Sequence, residues 1–313
     1  MDLIRNLDEL PDAWRGGAVA VGNYDGVHGG HARIVERLLA MARRLGGPAV
    51  VFTFDPQPAH LLRPDHAPAL LTWTERKVQL LADLGVQCVV AYPTDEAFLQ
   101  LTADEFFDRI VRGRLGARGM VEGTNFFFGR QRQGDVSLLG HLCDAAGIAL
   151  EVVQPVQIDG APVSSSRIRR LLAEGRIDQS RRMLTAPHRV RGTVIQGARR
   201  GQTLGYPTVN LTPPDTLLPC EGIYAGRAWA DGGAWPAAIS IGPNPTFGEN
   251  SRKIEAHLAG YSGSLYGQVV EVDFLARLRD IKRFDSVDQL VAQMADDVAV
   301  TRRIAEEVVS STG

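Results

Sequence analysis

Apolar residues in the first 185 positions alternate between two spacings. Runs rich in β-forming residues recur in GAVAVG, PAVVFTF, QCVVAY, ARGMVEG and ALEVVQPV. Between them, ARIVERLLAMARRL, ERKVQLLADLG, DEFFDRIVRGRL and DVSLLGHLCDAAG repeat apolar residues at i, i+3 and i+4, as amphipathic helices do. This alternation predicts βαβ units on a parallel, doubly wound sheet. Ligands of such sheets bind at the carboxyl ends of the strands.

The spacing changes after Thr185. RVRGTVI, GIYAGRAWA, AWPAAISIG, KIEAHLAG and QVVEVDFLARL are strand-like and are separated by Gly and Pro turns. A helical pattern, SVDQLVAQMADDVAVTRRIAEEVV, follows near the end. We therefore predict a small antiparallel β-barrel with a C-terminal helix. The length of 313 residues also favours two domains, which we place at residues 1–185 and 186–313.

Composition narrows the class of protein. The formal net charge of −2 provides no global field for nucleic acid or an anionic membrane, so we expect neither partner. No run of about 18 apolar residues and no signal-peptide core is present. Cys88, Cys143 and Cys220 form no CxxC pattern, which favours a reducing compartment over a zinc site or a disulfide framework. We expect a cytoplasmic protein, and the sequence does not indicate its oligomeric state.

The segment GNYDGVHGGH (22–31) joins the first predicted strand to the first long helix. A glycine-rich turn lets the backbone approach phosphates, and a helix start offers free N–H groups and the positive end of the helix dipole. His28 and His31 add imidazole donors there. Alternatives are a solvated helix start or a metal pair. We predict a phosphate site, with these further binding residues: Gly22, Asn23, Asp25 and Gly30.

This segment resembles the HxGH signature of the nucleotidyltransferase superfamily, with His28, Gly30 and His31 at its fixed positions. The segment SSSRIRR (164–170) resembles the second signature of these enzymes. Its hydroxyls and arginine suit a helix cap that holds the β- and γ-phosphates of ATP. The resemblance implies catalytic roles for His28, His31 and Arg167, with Ser165 and Ser166 binding phosphate.

Two further segments, TFDPQP (53–58) and EGTNFFFGRQRQGD (122–135), resemble the flavin-binding segments of bacterial bifunctional riboflavin kinase/FAD synthetase. The resemblance implies that Phe54 and Phe128 form apolar walls for an isoalloxazine ring, although phenylalanines in these segments can equally be core. Asn125 both donates and accepts, which suits the pyrimidine edge of the ring. The chain departs from the commonest family residues at four positions: Tyr24 for Phe, Gln57 for His, Ser166 for Thr and Glu122 for an apolar residue.

The segment GTVIQGARRGQTLGYPTVNL (192–211) resembles the riboflavin kinase motif, in which a basic glycine-rich loop precedes LG(F/Y)PTxN. The resemblance implies a loop over ATP phosphates formed by Gly197, Arg199, Arg200 and Gly201. A turn then presents Thr208 and Asn210 inward at period-two spacing. Their hydroxyl and amide oxygens are hard ligands suited to Mg²⁺.

A carboxylate near the ribityl 5′-hydroxyl is needed for phosphorylation. RKIEAHL (252–258) resembles the family segment that carries it, which makes Glu255 the candidate; the alternative is a solvated strand residue. Alternation places Glu255 on the side opposite to Ile254 and Ala256. SIGPNPTFG and YGQVVEVDFLARLRDIKRF also match family segments, and they imply flavin contacts by Arg279 and Phe284. We expect the final helix to pack on the barrel.

The resemblance implies a bifunctional enzyme that converts riboflavin to FMN in the C-terminal domain and FMN to FAD in the N-terminal domain. ATP would be the second substrate of both reactions and Mg²⁺ their cofactor. Two alternatives remain open from the residues. The first is still an enzyme, in which only one module is active or the N-terminal module transfers a nucleotide to a different phosphate. The second is a flavin- or nucleotide-binding regulator without turnover.

Overall fold

The structure, a computed structural model, describes residues 1–197, 200–244, 246 and 249–310. Contacts within the chain divide it into two compact units. The first unit consists of residues 1–68 and 73–164, and the second of residues 69–72 and 165–313. The predicted functional division between residues 185 and 186 stays a prediction.

The first unit is built on a six-stranded sheet with the order β1-β4-β3-β2-β5-β6. Every paired strand in it runs parallel, which confirms the predicted doubly wound class. The sequence pattern did not predict β1, because its three residues are too few for a period to show. The strands are β1 (Asp2–Ile4), β2 (Ala18–Val21), β3 (Ala49–Phe54), β4 (Cys88–Tyr92), β5 (Gly119–Gly123) and β6 (Ala149–Val153).

Helices cover the sheet, and a small hairpin of β7 (Gln157–Ile158) and β8 (Ala161–Pro162) completes the unit. The predicted helix DEFFDRIVRGRL is divided, because its second part, Phe107–Arg114, is a π-helical segment. The α-helices are α1 (Gly29–Leu45), α2 (Pro58–Leu62), α3 (Thr74–Asp83), α4 (Glu96–Leu99), α5 (Ala103–Phe106) and α6 (Val136–Ala146).

The central strands of the first unit are buried on both faces. Val19, Val50, Phe52, Val90 and Met120 all belong to one apolar core together with aromatic side chains of the α5 region. Parallel strands that are covered on both faces need continuous apolar runs rather than alternation. This explains why the apolar runs AVAV and AVVFTF correctly predicted strands of the sheet.

The second unit contains a closed six-stranded barrel with the order β10-β13-β12-β11-β14-β9. All its pairs are antiparallel, as predicted. The strands are β9 (Arg189–Ile195), β10 (Val209–Leu211), β11 (Gly222–Ala230), β12 (Gly233–Asn244), β13 (Glu249–Leu258) and β14 (Val269–Arg279). Its helices are α7 (Ser165–Ala173), α8 (Ile177–Arg181), α9 (Arg200–Thr203) and α10 (Val287–Ser310).

Helices pack against the barrel. The long helix α10 contacts β11, β12 and β14, which confirms the prediction that the final helix packs on the barrel. Helix α8 packs on β14, where the Arg181 guanidinium donates a hydrogen bond to the Leu275 carbonyl at 2.8 Å. On β13, Ile254 and Ala256 are buried while Glu255 between them is half-buried, so the strand alternates as its sequence predicts.

A buried ion cluster joins β9, β11 and β14. Asp273 is 0% exposed, and its two oxygens accept hydrogen bonds from Arg189 at 2.5 and 2.9 Å. The Trp229 indole also donates to this carboxylate, at 2.9 Å. Buried charges are tolerated only when they are paired and hydrogen-bonded, and this arrangement satisfies both requirements.

We predict that Asp273→Asn lowers the unfolding free energy by about 3–5 kcal/mol, because it removes the buried carboxylate that pairs with Arg189 through two hydrogen bonds and leaves only the outer carboxylate of Glu271. Urea unfolding monitored by tryptophan fluorescence measures this change. The matched control is Glu271→Gln, which removes the outer carboxylate that Arg189 contacts at 2.8 Å and whose side chain is 34% exposed. We expect the control to cost less than about 1 kcal/mol. Equal effects of the two substitutions would contradict this account.

Candidate active sites

The turn between β2 and α1 has an unusual backbone. Tyr24 and Val27 have φ values of 48° and 37°, and Gly26 lies between them with a φ of 84°. Two non-glycine residues in the left-handed region cost free energy, and such conformations persist only where their surroundings enforce them. Both side chains are fully buried, which supplies that enforcement. The turn delivers His28 to the position immediately before α1.

His28 and His31 cap the helix reciprocally. The Nδ1 atom of each ring accepts the backbone N–H of the other residue at 3.3 Å, and the rings stack with centroids 3.7 Å apart. Since each Nδ1 is an acceptor, the proton of each neutral ring resides on Nε2. An added Cβ at Gly30 would lie 3.1 Å from the His28 ring, so a larger residue there would displace the ring by a few tenths of an ångström. The predicted histidine pair thus presents two Nε2–H donors beside a helix N-terminus.

Burial and nearby positive charge set the protonation state of His31. Burial lowers the pKa of His31 well below its usual value, and the charges of His28 and Lys77 lower it further. The Tyr24 ring lies 5.0 Å from the His31 ring, and the Tyr24 hydroxyl is buried without a hydrogen bond to any residue in the described part of the chain. His31 is therefore neutral at neutral pH, the state that its capping bond requires.

The histidines lie at the point where the strand order reverses. From β2, the following strands β3 and β4 are added on one side of the sheet, and β5 and β6 on the other. Open α/β sheets bind ligands in the crevice at the carboxyl ends of the strands on either side of such a point. The predicted residues Gly22, Asn23 and Asp25 follow β2 at this crevice.

Glu122 holds the two strands at this crevice. The register of β2 with β5 pairs Val19 with Met120, and two residues farther along the Glu122 Oε1 atom accepts the Val21 N–H at 2.7 Å. Glu122 is fully buried, and burial raises its pKa well above the usual range. The sequence marked this residue only as a departure from its family. The hydrogen bond from Val21 to Glu122 depends on the register between β2 and β5, which could not be predicted from the sequence.

The predicted flavin wall of the first unit is part of an aromatic cluster. Phe128 belongs to the buried core, which is the alternative that the sequence left open for these phenylalanines. Phe54 is partly buried and packs against that core. Phe126 stacks on Phe128 with centroids 5.4 Å apart. Asn125 is exposed in the turn that follows β5.

Ser165, Ser166 and Arg167 begin helix α7, as the sequence predicts for a helix start. Ser165 and Arg167 are half-buried and Ser166 is exposed. These residues belong to the second compact unit, whereas the histidines belong to the first. Joint phosphate binding by the two segments stays a prediction.

The barrel brings the predicted kinase residues together. Asn210 on β10 is the register partner of Glu255 on β13, and Glu255 is also paired with Ser240 on β12. Directly paired residues share a face of the sheet. The expectation that Asn210 points inward is therefore wrong: it shares the face of Glu255, opposite to the buried Ile254 and Ala256. The polar groups lie on the outer side because the small barrel interior is filled with apolar side chains.

The loop before β10 closes on Asn210. An added Cβ at Gly197 would lie 2.2 Å from the Asn210 amide nitrogen, so the loop backbone lies directly on this side chain. Gly201 accepts hydrogen bonds from the Leu204 and Tyr206 N–H groups at 3.2 and 2.8 Å, which folds the loop back before Thr208. Arg200 starts the short helix α9, and Arg199 lies outside the described residues.

The donor set at this place fits a hard divalent cation. The Thr208 hydroxyl, the Asn210 amide and the Glu255 carboxylate all present oxygen, and the last two are direct strand partners. In the residues that the structure describes, no group of three or more His, Cys, Asp or Glu side chains is arranged to hold a metal. Mg²⁺ commonly keeps few protein ligands and takes the rest from phosphates and water.

A groove of about 920 Å³ lies beside this site, between the Leu204–Pro207 loop, the end of β13 and helix α10. In its wall, His257 Nδ1–H donates to the Pro207 carbonyl at 2.9 Å and its ring meets the Tyr206 ring edge to face. Burial lowers the pKa of His257. Strand alternation predicts that His257, two residues after Glu255, shares its face of β13, but the sequence indicates no role for His257.

Arg279 and Phe284, the predicted flavin contacts of the barrel, lie where β14 meets α10. Arg279 forms a bidentate ion pair with Asp297, with the shortest distance 2.7 Å. Its guanidinium also lies 5.7 Å from the centre of the Phe284 ring. Arg279 thus links the barrel to the helix, and its flavin contact stays a prediction.

Fold and sites together define a class of protein. One unit carries donors at a helix start on a parallel sheet, and the other carries oxygen ligands and a carboxylate on a closed barrel. Both arrangements suit phosphate chemistry, and together they indicate a two-module, nucleotide-using transferase. In the part of the chain that the structure describes, none of the helices is both long and apolar enough to cross a bilayer.

Comparisons with known proteins specify the class. The family model described as FAD synthetase matches residues 10–167, and the one described as riboflavin kinase matches residues 184–305. A bifunctional riboflavin kinase/FMN adenylyltransferase from Pseudomonas fluorescens is 36% identical, over 97% of this chain and 98% of that protein. The protein of the same description from Escherichia coli K12 is 33% identical, over 96% and 97% respectively.

Among solved structures, one described as a macrolide-efflux protein from Streptococcus pneumoniae superposes with a TM-score of 0.85. It is 31% identical and the match covers 96% of this chain and 98% of that one. The chain belongs to the bifunctional riboflavin kinase/FMN adenylyltransferase family. It is an ATP-using enzyme that combines a kinase module with an adenylyltransferase module.

The buried carboxyl of Glu122 predicts a pH-dependent stability. Its folded-state pKa is raised, so the folded chain keeps a proton that the unfolded chain releases near pH 4.3. Stability from this group is present below that pH and is lost as the pH rises towards the raised pKa. We expect Glu122→Gln to remove this loss, because an amide does not titrate in this range. The amide oxygen still accepts the Val21 N–H, so the link between the strands is kept. Urea midpoints of both proteins across about pH 4–9 measure it; parallel curves would contradict the prediction.

Proposed function

We propose that the barrel module of this chain transfers the γ-phosphoryl group of ATP to riboflavin, forming FMN and ADP. The sheet module then transfers AMP from a second ATP to FMN, forming FAD and pyrophosphate. The observation that supports this proposal is that two pairs of polar side chains suited to phosphate chemistry lie in separate units, His28 with His31 and Asn210 with Glu255. The histidine pair supplies N–H donors suited to adenylyl transfer, and Asn210 with Glu255 supplies oxygen ligands and a base suited to phosphoryl transfer.

In phosphoryl transfer, Glu255 accepts the proton of the ribityl 5′-hydroxyl as its oxygen attacks the γ-phosphorus. The bond from the γ-phosphorus to the bridging oxygen breaks, and ADP leaves. Thr208 and Asn210 would hold Mg²⁺, which supplies charge neutralisation at the phosphates. Gly197 and Gly201 shape the loop beside these ligands, and Arg199 and Arg200 add positive charge to its sequence.

In adenylyl transfer, an oxygen of the FMN phosphate attacks the α-phosphorus of ATP. The bond from the α-phosphorus to the β-phosphate oxygen breaks, and pyrophosphate leaves. The Nε2–H groups of His28 and His31 donate to phosphate oxygens as negative charge increases there. Because the capping bonds fix both rings in advance, no reorganisation is needed at the moment of transfer.

The remaining predicted residues complete the proposal. The β- and γ-phosphates of the ATP that adenylylates FMN are bound by Arg167, Ser165 and Ser166. The glycine-rich turn before α1, which approaches the same ATP, is shaped by Gly22, Asn23, Asp25 and Gly30. Flavin is bound in the first module by Phe54 and Asn125, with Phe128 as the buried support of Phe126. In the second module, Phe284 borders flavin and Arg279 orients that ring. Both modules use Mg²⁺ with ATP.

We place the enzyme in the cytoplasm, where ATP is available. Support comes from the three cysteines, which are all unpaired, with Cys88 and Cys143 buried. We propose small-molecule substrates as its partners, without nucleic acid or a membrane.

His31→Ala is expected to abolish FAD formation from FMN and ATP, with a loss of at least about a hundredfold, because it removes both a donor and the reciprocal cap. FMN formation from riboflavin should stay within about twofold, since the kinase residues belong to the other unit. Chromatographic separation of riboflavin, FMN and FAD from one reaction measures both rates. Equal loss of both activities would contradict the two-site proposal.

Glu255→Ala is expected to have the opposite effect. Loss of the base should lower FMN formation by about a hundredfold or more, while FAD formation from supplied FMN continues. Ser240→Ala is the matched control, because Ser240 is the other register partner of Glu255 and has no proposed chemical role. Loss of FAD formation in Glu255→Ala would count against the assignment of this residue to the kinase reaction.

A further inference from the structure

A buried lysine lies beneath the histidine turn and has no place in the mechanism above. Lys77 is 2% exposed on helix α3, within a face that also buries Val78 and Leu81. Lysine is almost never fully buried unless its ammonium group has partners. Of the two other lysines, Lys253 is half-buried and Lys282 is exposed. The partners of Lys77 therefore indicate what its charge is used for.

A two-bond relay connects Lys77 to the histidine turn. The Lys77 ammonium donates to the Thr53 hydroxyl at 3.2 Å, and this hydroxyl donates to the Asn23 carbonyl at 3.2 Å. A threonine hydroxyl can accept and donate at once, so the relay satisfies both of its functions. Thr53 belongs to β3, while Asn23 is the second residue of the turn that carries the histidines. Helix α3 is thereby tied to that turn across the strand.

Two carboxylates near Lys77 provide a second link between this lysine and the histidine turn. Burial lowers the pKa of Lys77, whereas the nearby carboxylates of Asp25 and Asp55 raise it. Asp25 lies in the histidine turn, and Asp55 forms a further ion pair with Arg5 at 2.9 Å. Removing the ammonium group would leave Asp25 near the site without this compensating charge. The relay and the charge thus act on one segment, residues 23–25.

We propose that Lys77 is a positioning residue for adenylyl transfer, which acts through Thr53 to hold the turn of residues 23–25 and thereby the two histidine rings. The turn needs such support because Tyr24 and Val27 hold left-handed backbone conformations. The capping geometry of His28 and His31 begins directly after it. This inference rests on the proposed role of the histidine pair in FAD formation.

The geometric part is tested on the full-length chain with two variants of the relay residue. Thr53→Val removes the hydroxyl at nearly constant volume, and Thr53→Ser retains it. We expect the valine variant to lower kcat for FAD formation by at least about tenfold, with KM for ATP changed less. The serine variant should stay within about twofold of the wild type. FMN formation in the same samples serves as an internal control for folding.

The electrostatic part is tested by the pH profile of FAD formation. The groups facing the His31 ring are His28 at the helix start, Tyr24 in the turn and Lys77 from α3. Because the Lys77 charge lowers the pKa of His31, Lys77→Met should shift the acidic limb of the kcat profile to higher pH. Thr53→Val keeps the charge and should leave the limb in place. A purely structural role of Lys77 would not separate these two profiles.

Asp83→Asn, an exposed change at the end of the same helix, is the matched control and should leave both activities unchanged. The proposal is overturned if Thr53→Val retains wild-type kcat for FAD formation, or if Thr53→Ser loses as much as Thr53→Val. It is also overturned if FMN formation falls in parallel. Where Lys77→Met does not fold, the two Thr53 variants decide. A wild-type protein that makes FMN but no FAD would instead refute the proposed function of the histidine site.

Discussion

The reciprocal cap of His28 and His31 is the constraint on which the first site depends. Each imidazole accepts a backbone N–H at the start of α1 with Nδ1, and the ring proton is thereby placed on Nε2 as a donor. One interaction therefore ends the turn, begins the helix, selects the tautomer and orients the ring. Burial supports this arrangement, because it keeps His31 neutral. A protonated ring could not accept the capping bond.

The second site depends on strand register rather than on a helix start. Asn210 and Glu255 are distant in sequence, yet they become neighbours because β10 pairs with β13 in one particular register. A slip of one residue would move either side chain to the apolar interior. The filled interior, in which Ile254 and Ala256 are both buried, makes that slip costly. Barrel packing and the pairing of Asn210 with Glu255 therefore depend on the same strand register.

Much of the fold could be predicted from the pattern of apolar residues. The five main strands of the sheet, the helix α1 and five of the barrel strands were visible as runs or alternations, since burial on one or both faces imposes a period on the sequence. Short elements were not visible: β1 has three residues, and no period develops over so few. The π-helical turn at Phe107–Arg114 also escaped prediction, because its apolar spacing resembles that of an α-helix.

The sequence by itself determined the chemistry available at each site, since motif residues such as His28, His31, Thr208 and Asn210 are local in the chain. Only the tertiary structure decided which way they point and what holds them. In the folded chain, Asn210 lies on the outer face of the barrel, and Glu122 accepts a hydrogen bond from Val21 on the neighbouring strand. The physical reason is that hydrogen-bond partners and burial are set by strand register and packing between residues far apart in sequence, and neither leaves a local pattern.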